Sequence, residues 1–160
     1  MDLHKKIEQA LATLRQAEGK TFFNDVQATE RALQVCNILM AKRGYHALPE
    51  DYAIFLMQVA GVTGPYFTLL TFDALPAAGG GLQPGMLDES DSFNQQHNNG
   101  EAKTLVVGKM SGNALVIYDA GKYHVIDATT RDVFRSYDDI ADFIVDTVQK
   151  KDAAIRTAAQ

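Results

Sequence analysis

The sequence predicts an α+β domain in which N-terminal helices pack on a mainly antiparallel sheet and a C-terminal helix closes the fold. Three observations predict it. Apolar residues recur at helical spacing through the first third, strand-length runs joined by tight turns follow residue 65, and helical spacing returns after Ser136. At 160 residues and 46% hydrophobic composition, the chain can bury one substantial core. The expected organisation is a single domain over residues 1–151 with a tail at 152–160.

The first helix carries Leu3, Ile7, Ala10, Leu11 and Leu14 on one face, and Gly19 supplies a stop. A second is expected from Asn24 or Asp25 to Lys42. Its inner stripe would be Ala28, Ala32, Val35, Cys36, Leu39 and Met40, and Lys42, Arg43 and Gly44 form a C-terminal signal. A third starts at Pro49, where a missing amide proton costs nothing. Glu50 and Asp51 fall in its favourable first turn, and Tyr52, Phe55, Leu56 and Val59 continue it to Gly61.

Strands are expected at Tyr66 to Leu70, Thr104 to Lys109, Ala114 to Tyr118 and Tyr123 to Asp127. Ser111 to Asn113 and Asp119 to Lys122 are short connections, which specify an antiparallel meander. Val133, Phe134 and Tyr137 suit a last edge strand. Ile140, Phe143, Ile144 and Val148 then form the inner face of the closing helix, beyond which an alanine-rich tail extends the helix or frays. The Gly-, Pro- and Asn-rich segment from Asp73 to Lys103 reads as one long connection, and connections of that length are usually functional or disordered.

Leu48, Pro49, Glu50, Asp51 and Tyr52, followed by Phe55, Leu56 and Gly61, form a run that resembles the LP-x-x-Y-x-x-F/L-L signature, with its later glycine, of the SMI1/KNR4 (SUKH) superfamily. The order of later segments, through Leu105 to Gly108, Leu115 to Tyr118, Tyr123 to Asp127 and Phe134 to Phe143, is similar to that family over roughly residues 25–148. Ala60 and Gly61 stand where the family commonly has Asn-Gly. The resemblance implies a noncovalent binding activity: many bacterial members look like immunity proteins that neutralise toxins, often nucleases.

Charge supplies a separate argument. From Pro49 through Glu101 the chain has seven carboxylates and no Lys or Arg, within a net charge of −5. Such a stretch suits a basic partner and repels phosphate backbones; taken with the resemblance, it implies a basic cognate protein toxin. The expected partner-binding residues are Asp73, Asp88, Glu89, Asp91, Phe93, Asn94, Gln95, Gln96, His97 and Glu101. Phe93 is either a contact anchor or a pin holding the connection to the domain. The alternative without a toxin is a cytoplasmic adaptor.

Enzyme signatures are weak. His4, His46, His97 and His124 are dispersed, the serines lack a GxSxG context, and Cys36 sits in an apolar helical pattern. A small hydrolase using His124 with Asp119 or Asp127 is the catalytic alternative. Gly79 to Gly81 lack the Lys-Ser/Thr of a phosphate loop, and Asp88, Glu89 and Asp91 miss calcium-loop spacing, so neither metal nor cofactor is expected. Dispersed cations argue against nucleic-acid binding. No segment reads as a membrane span or signal peptide, which places the protein in the cytoplasm.

Overall fold

The computed structural model of the chain describes residues 2–24, 26–72, 75–76, 82–83, 85–97 and 103–158. The elements run α1 (Leu3–Arg15), β1 (Phe22–Phe23), α2 (Glu30–Lys42), α3 (Glu50–Gln58), β2 (Val62–Thr63), β3 (Thr68–Leu69), β4 (Leu75–Pro76), β5 (Leu82–Gln83), α4 (Met86–His97), β6 (Leu105–Met110), β7 (Ala114–Asp119), β8 (Lys122–Asp127), β9 (Val133–Tyr137) and α5 (Ile140–Ala158). Seven strands form one sheet in the order β1-β2-β3-β6-β7-β8-β9, every neighbouring pair antiparallel. The fold is therefore α+β, with helices on a mainly antiparallel sheet and a C-terminal helix last.

Helices α1, α3 and α5 enclose the main core with the sheet. Ile7 and Leu14 of α1, Tyr52 and Phe55 of α3 and Phe143 of α5 are fully buried together with Tyr66 and Tyr123. Phe143 packs on both Phe67 and Tyr137, with ring centroids 4.9 and 5.6 Å apart. The meander is pinned by a two-residue turn in which Asp119 pairs with Lys122, and both Ala120 (φ 52°) and Gly121 (φ 82°) take the left-handed conformation that such turns require.

Four local expectations need correction. Helix α2 begins at Glu30 because Thr29 caps it, its Oγ1 accepting the Ala32 amide at 3.0 Å. The residues before it are drawn into extended pairing: Asn24 exchanges backbone bonds with Ala60 and Gly61, and the Ala28 amide donates to Leu56. The inner stripe of α2 is also rotated from the expected one. Leu33, Cys36 and Met40 are buried, while Val35 and Leu39 face outward. The stretch read as one long connection contains α4, twelve residues in length. Finally, α3 stops at Gln58, before Gly61. Gly61 instead lets two strands approach: its φ is 98°, and an added Cβ would lie 2.8 Å from the Leu69 carbonyl oxygen.

The alanine-rich end continues α5 as far as Ala158. Within it Asp152 accepts the Tyr66 hydroxyl and the Glu18 amide, tying the helix to the end of α1. Among the described residues, no helix is long and apolar enough to cross a membrane.

Candidate interaction surface

The residues carrying the family resemblance act as internal ties. Asp51, although in the first turn of α3, is buried and caps a different helix: its Oδ2 accepts the Ile140 amide of α5 at 2.7 Å, and its Oδ1 accepts the Tyr123 hydroxyl at 2.8 Å. Burial, reinforced by the Asp51 charge, pushes the Tyr123 phenol far above its usual range, so it remains a donor. The Tyr52 hydroxyl donates to the Leu70 carbonyl and lies 3.1 Å from that of Val107. Asp51 and Tyr52 thus join α3 to α5, β8, β6 and the end of β3. Glu50 is exposed in the first turn, where a carboxylate complements the helix dipole.

Helix α4 carries most of the sequence-predicted binding residues, and it uses several of them to close a strand edge. Strand β3 pairs with β6 at Gly108 and Lys109, and the Leu70 amide just beyond it donates to the Val107 carbonyl at 2.8 Å. Along the first half, α4 takes the place of a neighbouring strand. The Val106 amide donates to Ser90 Oγ at 2.7 Å, and the Ser90 hydroxyl reaches the Val106 carbonyl at 3.4 Å. One turn on, the Thr104 amide donates to Asn94 Oδ1 at 2.9 Å, and Asn94 Nδ2 donates to the Thr104 carbonyl at 2.7 Å. Four helical residues advance about 6.0 Å and two strand residues about 6.7 Å, so side chains at i and i+4 match backbone groups at j and j−2.

The predicted set is accordingly divided. Phe93 is 6% exposed and packs in the core, with the Arg131 guanidinium 6.0 Å above its ring. Asn94 is occupied at the strand edge. Asp91 accepts the Tyr45 hydroxyl at 2.6 Å and pairs with Arg43 at 2.9 Å, and burial with this carboxylate pushes the Tyr45 phenol up. Glu89 pairs with Lys109 at 2.6 Å. Asp88, Gln95 and Gln96 are exposed. Asp73, Glu101 and the side chain of His97 lie outside the described residues. Cations from before Pro49 and after Glu101 thereby fold back onto the carboxylate-rich stretch, and its one-sided charge is partly neutralised in space.

A second surface exposes Val35 and Leu39, which helical spacing places on the inner stripe of α2. Val26, Val35, Ile38 and Leu39 are 71, 48, 57 and 38% exposed. Val26, Val35 and Leu39 border a groove of about 510 Å³ between α2 and the 26–28 segment, with Leu56, Ala60 and Phe72 in its wall, while Ile38 lies outside it on the same helix. At the C-terminal end of α2, Lys42 and Arg43 line a neighbouring depression with Asp91 and Gln95 of α4. The signal was present in composition: between Ala32 and Ala41 the only polar residues are Gln34 and Asn37, which leaves more apolar side chains than one helix face can bury.

The catalytic alternative finds one relevant contact. His124 Nδ1 lies 2.6 Å from Ser136 Oγ across β8 and β9. Asp127, on the opposite face of β8, accepts the Thr129 and Thr130 amides in a turn. No protein-family model, curated protein or solved structure matches the chain.

Proposed function

We propose that the protein is a noncovalent protein-binding module whose role is to neutralise a cognate protein toxin by occlusion. The observation that carries the binding reading is the surplus apolar surface of α2. Exposing four large aliphatic side chains, three of them at the rim of a concave groove, gives an isolated domain no stability, whereas burial by a partner removes that surface from water. The LPEDY run and the order of the later segments support the toxin-neutralising role by resemblance alone. The net charge of −5 favours approach by a basic toxin at long range. The contact surface draws on α2 more than on the carboxylate excess, because Arg43 and Lys109 already pair with two of those carboxylates.

The test is titration calorimetry against the toxin encoded by a neighbouring gene, together with growth protection in cells expressing that toxin. Binding with protection is the expected result. Failure of both removes the neutralising role, and binding of a different protein without protection selects an adaptor.

A further inference from the structure

On the reading that this is a protein-binding module, we infer that the α2 surface receives an amphipathic helix of about three turns whose apolar ridge carries a carboxylate at each end. Arg31, Val35, Ile38, Leu39 and Lys42 stand at i, i+4, i+7, i+8 and i+11, which places them along one helical stripe. All five are exposed. The stripe is therefore aliphatic at its centre and cationic at both ends, with the two charges about 16 Å apart along the axis. Glu30 is one residue from Arg31 and points about 100° away, off the stripe.

Charge and shape together select the occupant. A helix presenting apolar residues at matching spacing lies along the stripe, enters the groove where Val35 and Leu39 border it, and sets its terminal carboxylates against Arg31 and Lys42. A second copy in antiparallel register sets Arg31 of each protomer against Lys42 of the other, so like charges face at both ends of the contact. A lipid surface offers anions but no ridge, and leaves the groove of about 510 Å³ unfilled.

The experiment uses the full chain and two synthetic peptides of about sixteen residues. Both carry the same leucine ridge; one has Glu at the two flanking positions and the other has Lys. Fluorescence anisotropy is expected to give roughly tenfold tighter binding of the Glu peptide, with the preference shrinking at about 0.5 M salt. Ile38→Glu abolishes binding of both peptides, and the double change Arg31→Glu, Lys42→Glu reverses the preference. These positions are exposed, so circular dichroism melts of the variants should match the parent.

Equal affinity for the two peptides, or no binding of either, overturns the inference. So does a monomer–dimer equilibrium that Ile38→Glu removes, or co-sedimentation with phosphatidylserine vesicles in the absence of peptide binding. Toxin protection that survives Ile38→Glu overturns the α2 assignment and leaves the neutralising role standing. Loss of protection in the unaltered protein with retained peptide preference does the reverse.

Discussion

Replacing Ser90 with Ala tests whether α4 substitutes for a strand beside β6. Ser90 and Val106 are both fully buried, so no water reaches the amide that the hydroxyl leaves behind. An orphaned buried N–H costs about 1–3 kcal/mol. Alanine returns roughly 0.5 kcal/mol through its better helix propensity. The expected net loss is about 0.5–2.5 kcal/mol, which for a chain of this size lowers Tm by roughly 1–10 °C. Urea denaturation with an unchanged m-value measures the loss. Ser92→Ala, at an exposed position of the same helix, isolates the propensity gain and should be neutral or slightly stabilising. Native-state hydrogen exchange supplies the site-specific reading: the Val106 amide should exchange faster in Ser90→Ala than the fall in global stability explains. Equal stability of the Ser90 and Ser92 variants, with Val106 still protected, would refute the strand-substitution account.

Three further outcomes follow from the geometry. Asp51→Ala leaves the Tyr123 hydroxyl and the Ile140 amide without their acceptor and should cost about 2–4 kcal/mol in chemical denaturation, with Asp51→Asn costing less because its one remaining oxygen still accepts. Ala120→Asn relieves a left-handed alanine in the β7–β8 turn and should stabilise by about 1 kcal/mol, read as a rise in the urea midpoint. The Tyr137 hydroxyl, then the Lys150 ammonium, hold the Asp146 carboxyl below its usual value, so protons bind the unfolded chain more readily. That contribution is complete above the ordinary carboxylate pKa of about 4 and is lost as pH falls through the lower folded value. Asp146→Asn should make the acid side of the stability–pH curve shallower.

The parts of the fold that were legible are those whose periodicity is carried by apolar residues alone. Helix α1, the three-strand meander and α5 announce themselves because their inward positions, Gly108 and Thr147 apart, are aliphatic or aromatic. Helix α4 did not, although Met86, Leu87, Ser90, Phe93 and Asn94 keep helical spacing. Two of its inward positions are polar because they satisfy a strand's backbone, and that interrupts the hydrophobic pattern. Strands β1 and β2, two residues each, arise from backbone pairing that tertiary contact imposes and no local pattern records. In α2 the composition is helical, but an excess of apolar residues makes the buried face ambiguous by one stripe. The charge asymmetry of residues 49–101 was real in the sequence and changed meaning in space, because Arg43 and Lys109 come from outside it.

The arrangement of Ser90 and Asn94 also bears on how this protein behaves when crowded. Thr104, Leu105 and Val106 form an uncharged, proline-free run whose backbone edge is shielded by two side chains of a neighbouring helix rather than by a strand. If α4 lifts away while the rest of the sheet persists, that edge becomes a template for another chain, and the species formed is one that self-associates before it unfolds. Polar substitutions in α4 therefore govern colloidal behaviour as well as stability, and shelf life at high concentration depends on a serine and an asparagine.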